Sequence, residues 1–440
     1  MLKNFLKSLF TFKGNKYWYI NVLTIIAVPL ILFLEVYLNY FTLFHQFFSD
    51  IKIANDFNVY YNSAVRVFND PNNLYIATSA RIEEFGNDRF LYPPVSLLFF
   101  LPFSIFNGNL SALIYGLLLP VFYTISAILI LNLLGKKNQF IIENKVKIVI
   151  ICLGLSSLFC DIRVENVNIL VLFFGVLTFY LAYSKKIFSS TLTAAYAFYL
   201  KLYPIMIIPL VLLKKPVSKR VLFFVASLII LPLVMIFWVS PYWHYYYFAE
   251  YLPLYSSVPL TIHPANNSLL NFIAHWDMPS YYLAAWDKMV FPSGLKLVNI
   301  IFSLVFVCII YFYYFKNRKN ALAAIYCFAS LISLSIIVSI TAWDGAYVMT
   351  MPQVILSIYL VKDKSNFLKG VVAFLVFLLF IPRLSMSVSF QINEILPFFL
   401  QMLLYFRYLL VSIFLIFFNM YLLNKSKSQT EYSEVSVYNP

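Results

Sequence analysis

Residues 190–215 read STLTAAYAFYLKLYPIMIIPLVLLKK, and the fold turns on how this stretch sits in an apolar phase. Lys201 lies in its middle, with Tyr203-Pro204 directly after. A helix needs about 20 apolar residues, at about 1.5 Å each, to cross a bilayer. A proline disfavours helix at the residue before it. The stretch therefore reads as two short helices, 190–200 and 203–213, turning back at Lys201-Leu202-Tyr203-Pro204. Its flanks, Lys185-Lys186 and Lys214-Lys215, are both basic, which puts both ends on one side. A non-helical turn at membrane depth must be buried in protein or line a watery cavity.

The whole composition agrees with an apolar surround. The 440 residues are 62% hydrophobic and 11% charged, with a mean hydropathy of +0.82, where a soluble domain carries about a quarter charged residues. Too little polar surface exists to face water on all sides, so the chain reads as an all-α integral membrane protein. A net charge of +14 would suggest nucleic acid in a soluble protein. Here the cations stand in short tracts between apolar runs, as orientation signals do, and no nucleic-acid partner is expected. Cys152, Cys160, Cys308 and Cys327 lie inside apolar runs without a C-x-x-C pair and read as small hydrophobes. Lys3, Lys7, Lys13 and Lys16 precede a span of bilayer length without a small-residue cleavage site, which reads as a retained first helix.

Twelve apolar spans follow: 17–39, 110–134, 147–160, 166–183, 190–200, 203–213, 220–241, 293–315, 320–341, 346–361, 368–383 and 398–423. Placing the N-terminal tail, the loops 135–147, 184–189, 214–220, 316–320 and 362–369, and the C-terminal tail on one side gathers 22 of the 32 basic residues but four of the 18 acids. By the positive-inside rule that side is cytoplasmic, with both termini. Residues 147–183 then also turn back, at Asp161-Ile162-Arg163-Val164-Glu165-Asn166-Val167-Asn168. Two short hairpins with charged tips imply a hollow open to the outer side. The first outer loop, 40–108, collects Asp50, Asp56, Asp70, Glu83, Glu84 and Asp88 and includes an interfacial helix over 92–106. A second outer segment, 242–292, carries Trp243, His244, Trp276 and Trp286 with five prolines. The polar tail at 424–440 reads as disordered and cytoplasmic.

Several short motifs along this frame resemble one family. They are Asp56-Phe57 with Tyr60-Tyr61 and Asn73-Leu74-Tyr75; Tyr92-Pro93-Pro94 leading to Leu101-Pro102; Glu165-Asn166-Val167-Asn168; Lys201-Leu202-Tyr203-Pro204; Asn266-Asn267-Ser268-Leu269; and Trp343-Asp344. Their order resembles glycosyltransferase family 87, within the GT-C superfamily. The resemblance implies a GT-C type multispan bundle of about 12 transmembrane helices over 1–423. It implies transfer of a hexose, often mannose, from a polyprenyl-phosphate donor to a lipid or glycan acceptor outside the cytoplasm at the plasma membrane, with inversion. It also places a base at Asp56. The sequence departs from the family in reading E-N-V-N for G-Q-x-N, and in having Gly345 and Ala346 where a histidine follows the W-[DE] pair.

The chemistry of the residues can be argued beside that resemblance. A sugar hydroxyl is a poor nucleophile, and a positioned carboxylate such as Asp56 can accept its proton in the transition state. The alternative for Asp56 is a loop acid starting an amphipathic helix toward Phe68. A cation inside an apolar run is a functional candidate, and Lys201 would hold the donor phosphate; the alternative is a snorkelling lysine. Arg163 is a second phosphate candidate, unless Asp161 and Glu165 simply pair with it. Asn166, Asn168, Asn267 and Tyr92 are candidate sugar or acceptor contacts, with turn-building as the alternative. Asp344 is placed to pair with Lys201 or to act beside Asp56. His263 and His275 are weaker stand-ins for the absent histidine, and Arg383 and Arg407 read as headgroup contacts. The four histidines are scattered, no second acid follows Asp56 as D-x-D, and no Walker loop or dinucleotide fingerprint occurs, so neither metal nor cofactor is expected. The rival readings are a transporter of envelope lipids or polysaccharides and a glycan polymerase or ligase.

Overall fold

The computed structural model describes residues 16–34, 56–71, 74–75, 90–135, 137–253, 266–277, 293–339, 342–381, 400, 403 and 405–426. Parts of the expected outer loops (40–55, 72–73, 76–89, 254–265 and 278–292) lie outside them, with Asp50, Glu83, Glu84, Asp88 and His263. Arg383, the side chain of His275 and the tail from 427 do so too.

The described residues are helical, with one isolated two-residue bridge. In chain order the first α-helices are α1 (Trp18–Leu34), α2 (Asp56–Asn69), α3 (Gly108–Gly135), α4 (Gln139–Leu153), α5 (Ser156–Val164), α6 (Asn168–Tyr183), α7 (Ile187–Leu200) and α8 (Ile208–Leu212). They continue as α9 (Val217–Met235), α10 (Pro241–Tyr246), α11 (Leu269–Asp277), α12 (Ser293–Lys316), α13 (Ala321–Ile337), α14 (Met351–Leu360), α15 (Asn366–Phe380) and α16 (Arg407–Ser426). Four of these, α3, α9, α12 and α16, are long and apolar enough to cross a membrane, and α5 with α6 makes a fifth if that bent pair is one span. The shorter apolar helices α1, α7, α13 and α15 are the counterparts of other expected spans.

The chain divides into two compact units. Unit one comprises Met1–Leu34, Thr124–Cys160 and Pro259–Pro440. Its centre is α13, α14 and α16, where buried polar side chains bond between helices. Gln353 Nε2 donates to Ser330 Oγ (2.8 Å), Asn419 Nδ2 to Gln353 Oε1 (2.5 Å) and Ser357 Oγ to Asn419 Oδ1 (2.8 Å). Such bonds hold helices together where no hydrophobic gain separates lipid from protein. On α4, Lys147 Nζ reaches Asn21 Oδ1 of α1 at 2.8 Å.

Unit two comprises Glu35–Tyr123 and Asp161–Val258. Ala194 and Ala195 of α7 pack on Ile208 of α8 and Phe224 of α9, small residues letting the backbones approach. Thr178 Oγ1 of α6 bonds Thr193 Oγ1 of α7 at 2.9 Å. The expected turn at 201–204 is present: α7 ends at Leu200, and a 3-10 turn over Tyr203–Met206 leads into α8. Both ends of this hairpin are fastened at the C-terminal turn of α6. Lys214 Nζ sits 3.0 Å over the Tyr183 ring. The buried Arg220 donates from Nη2 to Ala182 O (3.3 Å) and from Nη1 to Ser190 Oγ (3.2 Å). Cations there meet the negative end of the α6 dipole and its unpaired carbonyls.

Three expectations need correcting. The single span 147–160 is two helices, α4 and α5, separated at Gly154-Leu155. The interfacial helix over 92–106 is instead a pair of 3-10 turns, Pro94–Phe99 and Leu101–Ile105, and Pro102 lacks the N–H that a continuous α-helix would bond to Leu98 O. The span 346–361 likewise begins as a 3-10 segment, Asp344–Thr350, before α14.

The hairpin makes a direct topological prediction. In a variant without native cysteines, single cysteines at Lys186 and Lys215 will react with a membrane-impermeant maleimide from the same side of sealed vesicles. Labelling from opposite sides would mean that 187–213 crosses the membrane.

Candidate active site

The polar centre of unit two is assembled from three places in the chain. The first is the start of α2. Its apolar residues recur at helical spacing, so that Phe57, Tyr60, Ser63, Ala64 and Val67 form a buried face. Phe57 is fully buried, stacked on Tyr115 (4.8 Å between ring centres) and edge-on to Phe103 (5.8 Å). Tyr60 stacks on Phe100 at 4.6 Å. This aromatic packing fixes α2, and Asp56 is its first residue, where a carboxylate suits the positive end of the helix.

The second place is the turn between α5 and α6, where the chain bends by 118°. Glu165 adopts φ 51°, the left-handed conformation that usually falls to glycine at a helix end. Its N–H bonds Ile162 O (3.0 Å), and the Asn166 N–H bonds Asp161 O (3.2 Å). The cost of the left-handed residue is offset locally by these closing bonds and by Tyr115, whose hydroxyl donates to Asn166 O at 3.0 Å. The turn aims the side chains of Asn166 and Asn168 inward. The third place is the tip of the α7 hairpin, where Lys201 is extended (φ −155°) at the end of α7.

These three meet. Asn166 Nδ2 donates to Asp56 Oδ2. Lys201 Nζ donates to Asn168 Oδ1 at 2.6 Å and to Asn166 Oδ1 at 3.3 Å. Asn168 Nδ2 donates to Asp161 Oδ1 at 2.7 Å. Burial pushes the Asp56 carboxyl above its ordinary value, while the Lys201 charge and the Asn166 hydrogen bond pull the other way. Asp56 is half-buried, so it is both partly desolvated and reachable.

Tyr92 is tied to the same helix: Tyr60 Oη donates to Tyr92 Oη (2.9 Å), and Tyr75 Oη donates to Tyr92 O (2.6 Å). Tyr75 in turn lies among Phe90, Trp243, Tyr246, Tyr247 and Tyr251. Arg163 does not join. It is exposed, and among the described residues it pairs with neither Asp161 nor Glu165. Two positions along a helix is about 200°, so Arg163 and the buried Asp161 face opposite ways.

In unit one, two further predicted motifs come together. Asn267 N–H bonds Ala342 O (2.7 Å), Ala342 N–H bonds Asn266 Oδ1 (2.8 Å), and the bridge pairs Asn266 with Trp343. Asn267 Nδ2 donates to the buried Asp344 Oδ1, and Tyr347 Oη closes on Asn267 O at 2.6 Å. Arg407 is buried as well, donating to Ile381 O and Tyr408 Oη rather than facing a headgroup. Sequence reasoning passed over Asp161 and Tyr115 as site residues. An acid inside an apolar run was a usable signal for Asp161; Tyr115 carried none.

The fold defines a helical membrane protein with a carboxylate and a lysine joined through amides at turns between helices. The sequence model of glycosyltransferase family 87 matches residues 90–339, more than half of the chain, and the chain belongs to that family. Glycosyltransferase activity, with a sugar donor, an acceptor and membrane association, follows from membership. Tyr92, Arg163, Asn166, Asn168, Lys201 and Asn267 fall inside the matched residues; Asp56 precedes them and Asp344 follows. A search of curated proteins found no match.

The anchoring of Asp56 is testable by stability. Phe57→Ala will lower the unfolding free energy by about 3–5 kcal/mol, read as a fall in the melting temperature of the purified protein in detergent. An unchanged melting temperature would mean that the aromatic packing does not hold α2.

Proposed function

We propose that the protein is an inverting hexosyltransferase that moves a hexose, mannose in the first instance, from a polyprenyl-phosphate donor to a lipid or glycan acceptor on the extracytoplasmic face of the plasma membrane. The observation that carries this reading is the junction of Asp56, Asn166 and Lys201. A base and a cation stand in one polar cluster, separated by a single amide.

In this mechanism the acceptor hydroxyl approaches Asp56 Oδ1, the carboxylate oxygen that Asn166 leaves unengaged. The hydroxyl oxygen attacks the anomeric carbon on the face opposite the phosphate, forming the new glycosidic bond with inversion. The carbon–oxygen bond to phosphate breaks, its electron pair leaves with the lipid phosphate, and the hydroxyl proton passes to Asp56. A phosphate departs as a stable anion and needs no general acid. Lys201 meets its charge from a half-buried position, where electrostatic stabilisation is stronger than in water. Burial, which raises the affinity of Asp56 for a proton, makes it a better base than an exposed aspartate. Tyr92, Asn166 and Asn168 supply polar and aromatic surface for the sugar. Asn267 and Asp344 are assigned to substrate contact as well.

Two measurements test this with polyprenyl-phosphate mannose as donor. Asp56→Asn will reduce kcat by roughly 10²–10⁴ with donor KM held, whereas Lys201→Ala will raise donor KM. Undiminished turnover by Asp56→Asn would remove the mechanism. The rate will also fall with decreasing pH as Asp56 takes up a proton, because the neutral acid cannot accept a second. Since burial raises that carboxyl, the acidic limb of kcat/KM will lie above the ordinary aspartate range. A limb at or below that range would count against Asp56 as the base.

A further inference from the structure

Asp161 has no part in the mechanism above, yet it lies fully buried behind it. Its Oδ1 accepts Asn168 Nδ2 at 2.7 Å, and its Oδ2 accepts the Ile169 N–H at 3.1 Å. The second bond satisfies one of the amides that the first turn of α6 leaves open. The first bond does something different. Both Asp161 oxygens act as acceptors of N–H groups, and an ammonium only donates hydrogen bonds. The Asn168 amide lies between the two, with Asp161 on one end and Lys201 Nζ at 2.6 Å on the other. Only one orientation satisfies both: nitrogen toward Asp161, oxygen toward Lys201.

We infer that Asp161 is a positioning residue that sets the polarity of the Asn168 amide and thereby holds the Lys201 ammonium opposite Asp56. The inference rests on the reading of Lys201 as the counter-charge of the donor phosphate. Asp161 itself touches neither substrate nor Lys201 in this role. Asn166 repeats the arrangement on the other side, giving its nitrogen to Asp56 and its oxygen to Lys201. The lysine is thus held between two amides, each oriented by its own acid.

Asp161→Asn keeps the shape and removes the acceptor-only character. The new amide cannot accept from both Ile169 N–H and Asn168 Nδ2 on separate oxygens, so a donor is turned against a donor at one of them. If Asn168 flips to avoid this, its nitrogen faces Lys201. Asp161→Glu instead keeps a carboxylate, whose two oxygens act as acceptors. It leaves Asn168 and Lys201 as they are, and the total charge is unchanged.

The experiment compares wild type, Asp161→Asn and Asp161→Glu in two assays. The first is turnover of polyprenyl-phosphate mannose. The second is the rate of Lys201 acylation by acetic anhydride at fixed pH, followed by peptide mass spectrometry. Asp161→Asn is expected to raise donor KM about tenfold or more and to change the Lys201 acylation rate about threefold or more. Asp161→Glu is expected to return both to within about threefold of wild type. Wild-type KM and acylation rate in Asp161→Asn, or a folded Asp161→Glu no better than Asp161→Asn, would overturn the inference. If Asp161→Asn does not fold, Asp161→Glu decides by itself: folded and wild-type in Lys201 reactivity supports the relay, while a folded form with altered reactivity refutes it. Wild-type protein without turnover would instead overturn the functional reading, and the acylation arm would still judge the relay.

Discussion

The structure of unit two depends on holding one ammonium in apolar surroundings. Lys201 is kept there by two amide oxygens, from Asn166 and Asn168, and each amide is backed by a carboxylate. Charges removed from water are costly unless paired and hydrogen-bonded. A lysine set directly against an acid would neutralise it at close range. Interposed amides instead spread the compensation, so that the cation is stabilised while Asp56 retains an oxygen for chemistry.

The rest of unit two makes this arrangement possible. A cation at the end of a short helix needs that helix to stop there, and Pro204 enforces the stop just past Lys201. Two neighbouring amides aimed at it need a tight turn rather than a continuous helix. Glu165 supplies that by taking a left-handed conformation. The aromatic packing of Phe57, Tyr60, Phe100, Phe103 and Tyr115 then brings α2, and Asp56 with it, onto the same turn. The early helix stop and the left-handed residue are unfavourable or neutral locally, and the polar network is what they serve; the aromatic packing is stabilising in itself and brings Asp56 to them.

Much of this was legible in the sequence because charge in an apolar run has few explanations. Lys201 and the Asp161–Asn168 stretch stood out for that reason, and basic flanks were the ground for expecting both segments to turn back. Asp56 was legible through chemistry and resemblance together. What was not legible depended on facing and on packing. Arg163 looked equivalent to Lys201 in a linear reading, but helix periodicity turns it away from the buried Asp161. Tyr115 is an ordinary aromatic in an apolar run until the fold sets its hydroxyl against Asn166 O. The break at Gly154-Leu155 was hidden because both flanking helices are apolar, and hydropathy does not record where a backbone stops being helical. The division of 92–106 into two 3-10 turns goes with the missing N–H of Pro102, which an average over the segment conceals.

Helix α6 has a further consequence through its two ends. Asn168 is its first residue, and Ala182 and Tyr183 close it; the 14-residue α7 beside it is fastened at the same closing end by Arg220 and Lys214. The 16 residues of α6 span about 24 Å and the 14 of α7 about 21 Å. The lysine and the asparagine that receives it are therefore two marks on parallel rulers zeroed at a common edge. Sliding the pair together through the bilayer leaves the marks aligned. One residue added to either ruler would offset them by about 1.5 Å and swing the side chain by about 100°, so the difference between the two helix lengths meters the reach of the cation.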